Sequence, residues 1–195
     1  MSKRPEKTTQ TRRELRQAFW QLCDRMPFEK VTVAQICERA GYNRGTFYLH
    51  YEGLQEMVDA LEQELLDGME ACVEKALKAV CTKKSKLAQL TALKDVMAYF
   101  NKYETEVKIL LGKQADPNFI TALKARLKPL WRTYVITDTG SHTDAEIDLM
   151  LEHTLSGMLT MVGRWLIEPD GVGASEIGKL VYDTSIRDVS ARAAQ

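Results

Sequence analysis

Apolar positions recur at helical spacing along almost the whole chain. Between Thr9 and Met26, the residues Leu15, Ala18, Phe19, Leu22, Cys23 and Met26 form one stripe, and Pro27 predicts the end of that helix. Lys3, Arg4 and Lys7 precede it in a segment expected to be a flexible tail. The next start signal is more complete. Thr32 reads as an N-cap with Gln35 three residues on, which is a capping box, and Val31 and Ile36 stand at the staple positions around it. That short helix runs to Arg39 or Ala40, and Gly41 can take the left-handed conformation that closes it. Asn43 can then cap a second short helix, Arg44 to about His50. Two short helices joined by a tight glycine turn predict a helix-turn-helix.

From Leu54 the pattern lengthens. Leu54, Met57, Val58, Leu61, Leu65, Met69, Cys72, Val73, Ala76, Leu77 and Val80 keep one stripe, which predicts a rod of roughly 40 Å. A helix over Lys86 to Tyr103 follows, with Leu87, Leu90, Leu93, Val96, Met97 and Phe100 inward, then a short one from Glu104 to Leu111 that stops at Gly112. Asp116-Pro117 reads as N-cap and first helical position of a helix to about Val135, kinked at Pro129. Thr143 caps a long apolar helix to about Ile167, and Ser175 caps the last one, with Ile177, Leu180, Val181 and Ile186 on its stripe. No segment alternates as a strand does.

Composition narrows the class. The chain has 195 residues, with 45% hydrophobic and 28% charged, which suits a globular protein rather than a disordered one. No apolar run approaches the ~20 residues of a membrane span, and Met1 to Gln10 lacks the apolar core of a signal peptide, so a cytoplasmic protein without a membrane partner is expected. Cys23, Cys37, Cys72 and Cys81 contain no C-x-x-C pair and read as reduced, packed thiols. No metal site and no cofactor is expected. The net charge of zero hides an asymmetry: residues 1–52 carry ten basic against six acidic side chains, and the remainder is acidic in balance. A basic N-terminal segment suits a face that meets a polyanion.

Within Val31 to Tyr51, the residues Val33, Ile36, Cys37, Ala40 and Phe47 have the spacing of a small core between two crossed helices. The other face of the second helix holds Arg44, Gly45, Thr46, Tyr48 and His50. Arg44 can pair with guanine O6 and N7 in a major groove, Thr46 can meet a base or a thymine methyl, and Gly45 lets the backbone approach. Tyr48 and His50 suit phosphate oxygens, which position a helix without reading sequence. With the caps included, the candidate DNA-facing set is Thr32, Val33, Asn43, Arg44, Gly45, Thr46, Tyr48 and His50. A polar helix face with no ligand is the plain alternative.

This stretch resembles the TetR (tetracycline-repressor-like) family, whose N-terminal module shows patterns like Val31-Thr32-Val33-Ala34-Gln35-Ile36, Ala40 to Tyr48, and His50-Tyr51. The match covers about residues 10–60. The resemblance implies an all-helical homodimer that binds duplex DNA, with Thr32, Arg44, Gly45, Thr46, Tyr48 and His50 toward DNA and Phe47 and Tyr51 mostly structural. One position departs: Leu54 stands where the family usually has a phosphate-binding lysine, although the helix N-terminus there can still favour phosphate. Gly112, Asp116-Pro117-Asn118-Phe119, Gly157 and Trp165-Leu166 further resemble a subgroup that includes regulators of dihydroxyacetone-kinase operons, some of which activate.

The expected architecture is all-α: an N-terminal three-helix helix-turn-helix module at residues 1–53 and a C-terminal helical ligand-binding and dimerisation domain at 54–195. By the resemblance, Leu155, Leu159, Val162, Trp165, Leu166, Leu180 and Val181 fall to core or dimer contact. Met97, Phe100, Tyr103, Trp131, Tyr134, Met150, His153 and Met158 are candidates to line an effector cavity, and such a stripe equally serves a packed core. No catalytic constellation, phosphate loop or metal cluster is suggested, so an enzyme is not expected. The expected function is a repressor-type regulator that binds a near-palindromic operator and is modulated by a small-molecule effector. The alternative is an adaptor or co-activator that works through a protein partner without a small ligand.

Overall fold

The computed structural model describes the backbone of residues 4–82, 86–113, 116–136 and 139–187. The side chains of 4–7, 86–90, 93 and 113 fall outside that description, so Lys3 and the side chains of Lys7, Leu87, Leu90 and Leu93 lie outside what is described. All described regular structure is helical. The chain forms two compact units, Met1–Leu65 and Leu66–Gln195, and the division falls inside one continuous helix.

In the N-terminal unit, α1 spans Arg4–Cys23 and begins earlier than the apolar stripe does, so the expected tail is helical from Arg4. Pro5 lies in its first turn, where a missing N–H leaves no helical bond unmade. Leu15, Ala18, Phe19, Trp20, Leu22 and Cys23 are buried. The helix ends before Met26: the N–H groups of Arg25 and Met26 both return to the Leu22 carbonyl, at 2.9 and 3.0 Å. A 3-10 turn, Phe28–Lys30, follows Pro27.

Helix α2 is Val33–Ala40, α3 is Arg44–Tyr48, and α4 is Leu54–Cys81. Helix α3 stops two residues before His50. Ile36, Phe47 and Met57 are fully enclosed, and Tyr51 is 2% exposed, so α2, α3 and the start of α4 share one small core with α1. Val33 and Ala40 are only half-buried, at the margin of that core.

The C-terminal unit takes the rest of α4 with α5 (Lys86–Lys102), α6 (Glu104–Lys108), α7 (Pro117–Tyr134), α8 (Asp144–Ile167) and α9 (Ala174–Tyr182). The stretch expected to be one helix to Leu111 is α6 followed by a π turn, Ile109–Lys113, in which Gly112 is non-helical at φ −106° and ψ −114°. Helix α7 continues through Pro129. Its N-cap is Asp116, whose buried carboxylate accepts from Asn118 N–H at 2.7 Å. Thr143 and Glu146 close a capping box on α8. The cap of α9 is Gly173 rather than Ser175, because Glu176 folds back to accept the Gly173 N–H at 2.5 Å and Ser175 falls inside the first turn. Another π turn, Asp183–Arg187, ends the described chain.

Helices α7 and α8 pack together, and Phe119, Leu123, Leu127 and Trp131 of α7 and Ile147, Leu151 and Leu155 of α8 are buried. A polar ladder edges that contact. Lys124 pairs with Glu152, Lys128 with Asp148 and Glu152, and Arg132 with Asp144. On the α4 side, Arg126 pairs with Asp67 at 2.6 Å and Glu70 at 2.8 Å, and the Tyr134 hydroxyl donates to Glu74. Gly163 of α8 lies against the Leu111 carbonyl so closely that a Cβ there would collide with it.

Candidate nucleic-acid interface

The turn between α2 and α3 is built by three local devices. The Thr32 hydroxyl accepts the Gln35 backbone N–H at 3.3 Å while the Gln35 side-chain carboxamide oxygen accepts the Thr32 N–H at 2.9 Å, so both halves of the capping box are made. Gly41 ends α2 at φ +74°, a left-handed conformation in which a Cβ would be strained. The Asn43 carboxamide then accepts the Thr46 N–H at 2.8 Å and starts α3. Together these reverse the chain within three residues, Gly41, Tyr42 and Asn43, and set α3 across α2.

Phe47 is the inward anchor of α3, with no exposed surface, and its ring lies 5.5 Å from that of Tyr51. Arg44, Gly45 and Tyr48 are exposed, as are the caps Thr32 and Asn43; Thr46, His50 and Val33 are half-buried. The N-terminal unit thus places the candidate set on two short helices adjacent in sequence and their caps, with His50 two residues beyond α3. Arg44 supplies a cation at the start of α3. Tyr48, 56% exposed, offers a hydroxyl at its end.

Side chains from α1 brace this surface, and the sequence reading did not find them. The Tyr42 hydroxyl, in the turn itself, donates to Glu14, and Thr11 donates to Tyr42 at 3.4 Å. That phenol, with help from Gln10, holds the Glu14 carboxyl below its ordinary value. The Arg12 Nε donates to the Tyr51 hydroxyl at 3.1 Å with its guanidinium over the Tyr51 ring at 5.0 Å. Arg16 pairs with Glu64 at 2.6 Å. The partners are 28 to 48 positions apart, so periodicity carries no trace of them. Leu49 was also missed. It is 83% exposed directly after α3.

At Leu54, the start of α4 carries acid rather than base. The Glu56 carboxylate accepts the Glu52 N–H, so one of the N–H groups near this helix start is already taken by the chain's own anion. The thiols are quiet: none of the four cysteines is in a disulfide, burial pushes Cys23 up to about 12, and burial also raises Cys37, Cys72 and Cys81. Cys23 and Cys37 are buried, and Cys72 and Cys81 are half-buried.

The effector candidates have different settings. Trp131 is 2% exposed and its indole N–H donates to the Ser185 carbonyl at 2.7 Å, a core role. The Tyr103 ring stacks on Tyr99 at 4.7 Å and takes a hydrogen bond from Lys102, while Tyr134 faces Glu74. Met97, Phe100 and Met150 are half-buried. His153 and Met158 do line a shared recess of about 280 Å³ with Thr154, Gly157, Met161, Thr184 and Ser185. Of the residues expected at core or dimer contact, Leu155 and Leu159 are buried within the chain itself. Val162, Leu166 and Val181 are half-buried, and Trp165, also half-buried, donates its indole N–H to the Val172 carbonyl at 2.8 Å. Leu180 is 46% exposed. Among the described residues, no helix is long and apolar enough to cross a membrane.

Comparisons with known proteins agree with this geometry. Residues 18–61 match the family described as bacterial regulatory proteins, tetR family. The fold is similar to that of a crystal structure of a TetR transcriptional regulator from Streptococcus agalactiae 2603V, with a TM-score of 0.67 and 18% identity over 94% of this chain and 98% of that one. No curated protein matches the chain in sequence. The matched segment holds α2, the Gly41 turn, α3 and the start of α4. Residues 18–61, which hold the capped α2–turn–α3 unit, are therefore similar to the N-terminal domain of the bacterial tetR-family regulatory proteins, and the chain shares the all-helical fold of a TetR transcriptional regulator.

Proposed function

We propose that this chain acts in the cytoplasm as a homodimeric repressor that binds a near-palindromic operator through α3 and releases it when a small-molecule effector binds the C-terminal unit. The observation that carries the DNA part is the capped α2–turn–α3 unit, with Phe47 enclosed, Arg44 and Tyr48 exposed, and Thr46 and His50 half-buried beside them. In this reading Arg44 reads a guanine edge, Thr46 meets a base, and Tyr48 and His50 hold phosphates. The acidic start of α4 makes no phosphate clamp of the kind a lysine would give.

Dimerisation is supported by the apolar surface at the end of α8 and on α9, where Ile167, Val172, Leu180 and Tyr182 are each at least 36% exposed. A second copy would cover them, and two α3 helices would then enter successive major grooves. For the effector, the recess beside His153 and Met158 is the supported position, with imidazole and hydroxyl groups beside methionine. Helix α4 supplies residues to both units, so a shift in its second half has a covalent route to Met57 and Leu61. Coupling of this kind is reciprocal: operator DNA weakens the effector by the same factor that the effector weakens DNA. The subgroup reading of Gly112, Asp116-Pro117 and Trp165 rests on the sequence alone and names no effector.

One observation favours a second reading. Trp131, Tyr103 and Tyr134 are committed to partners within the chain rather than to a common cavity, as suits an adaptor that binds a protein partner and no small ligand.

The test is enrichment of the full-length protein on random duplexes, with Arg44→Ala beside it. A palindromic site won by the wild type and weakened at least about tenfold in the variant is the expected result. Binding that is only salt-sensitive and without sequence preference would remove the regulator reading and leave the adaptor.

A further inference from the structure

Leu49 is the most exposed large apolar side chain among the described residues, at 83%. Its backbone continues the helical turn past Tyr48, at φ −75° and ψ −16°, and its N–H donates to the Gly45 carbonyl at 3.2 Å. Gly45 and Leu49 are therefore one turn apart on the same line of α3. Phe47, with no exposed surface, marks the opposite, inward line. The outermost ridge of the helix thus consists of bare backbone at Gly45 followed by a projecting leucine.

The glycine has a local reason. A Cβ at position 45 would lie 3.2 Å from the Asn43 carboxamide oxygen, the atom that caps Thr46. The leucine has none. It touches no core, and an isobutyl group in water gains nothing for the fold. Its setting selects what could cover it. Arg44 is exposed on the same short helix, and residues 1–52 carry a surplus of four positive charges, so the complement is a polyanion with an apolar group at its surface. Duplex DNA presents such a group in one place, the 5-methyl of thymine on the major-groove edge.

We propose that Leu49 is a specificity-determining residue that covers a thymine methyl in each half-site of the operator. The proposal rests on the DNA-reading role of α3 and adds to it the identity of one base. Gly45 lets the helix sink until Leu49 reaches the base edge, while Arg44, a turn earlier, reaches a different base pair. Leu49 thereby reads by apolar contact a position that no donor or acceptor of α3 reads.

The experiment starts from the duplex enriched by the full-length protein. Each thymine, in symmetric pairs, is replaced by deoxyuridine, which removes only the 5-methyl. Affinities are measured by fluorescence anisotropy for the wild type, Leu49→Ala, Leu49→Gln and Arg44→Ala. At one symmetric pair the wild type is expected to weaken about fourfold for each methyl uncovered, the equivalent of one buried carbon, while both Leu49 variants are unmoved by that replacement. Because Leu49 is exposed, both variants keep the wild-type fold, and Leu49→Gln keeps a side chain of similar length. A wild type indifferent to every replacement, or Leu49 variants that respond as the wild type does, overturns the proposal and leaves the DNA-reading role of α3 standing. A pool from which no site is enriched, or an Arg44→Ala protein that binds the site undiminished, overturns that role, and the Leu49 assignment falls with it.

Discussion

The two units of the chain are specified in different ways. In the N-terminal unit the bonds that form the two short helices are three residues long, Thr32 to Gln35 and Asn43 to Thr46, and longer bonds from α1 brace them. In the C-terminal unit the pairs that join one helix to another reach across the sequence. Lys124 meets Glu152 over 28 positions, Trp131 meets Ser185 over 54, and Arg126 meets Asp67 over 59. Short helices of eight and five residues cannot persist on their own, so they need strong terminal signals and one enclosed anchor. Helices of 18 and 24 residues need fewer local signals, and which faces they present to each other is settled by packing and ion pairs.

The largest expected effect comes from removing the anchor of the short helices. Phe47→Ala should destabilise the N-terminal unit by about 3–5 kcal/mol. Hydrogen exchange should show protection lost around α2 and α3 and kept along α7 and α8. Equal loss in both units would mean that they fold as one, and the contrast drawn above would be broken.

Two glycines of α8 sharpen the same comparison from the other side. Gly163→Ala places a methyl against the Leu111 carbonyl, and overpacking of that kind costs about 1–3 kcal/mol. Gly157 has open space where its Cβ would be, so Gly157→Ala should be stabilising by up to about 1 kcal/mol through helix propensity. Thermal unfolding of the two variants should therefore move the melting temperature in opposite directions. The same direction for both would show that the approach to Leu111 is not a tight one.

A cap change is smaller. Thr32→Ala removes one half of the capping box and should cost about 1 kcal/mol of stability. Thr32→Ser should restore most of it, because the hydroxyl and not the methyl makes the bond. Chemical denaturation followed in the N-terminal unit checks both.

The smallest effect is in acid. Lys124 and Lys128 hold the Glu152 carboxyl down to about 2, against an ordinary 4.5. A carboxylate whose folded value is depressed contributes stability that is complete above the unfolded value. That stability is lost as the pH falls from about 4.5 toward about 2. Glu152 is 44% exposed, so water screens the pairs and the contribution is modest. The melting temperature of Glu152→Gln should fall less than that of the wild type between pH 6 and pH 3. A parallel fall in the two proteins would remove the ladder from the account of acid stability.

The sequence by itself determined the helical class, the two caps and the glycine turn of α2 and α3, and the starts of α7 and α8 at Asp116 and Thr143. These are decided by residues within one turn of each other, where side chain and backbone meet with almost no choice of partner. It misplaced the start of α1, because polar residues in a first turn leave no apolar stripe, and the cap of α9, because Gly173 has no side chain to announce it. Leu49 gave no signal because a leucine reads as core until its surroundings are known. Only the tertiary structure decided that Tyr42 and Tyr51 are held from α1, that Trp131 belongs to the core through Ser185, and that His153 and Met158 share a recess. The physical reason is common to all of these: a helix has many faces of similar apolar content, and only the other helices packed against it select which side chains meet.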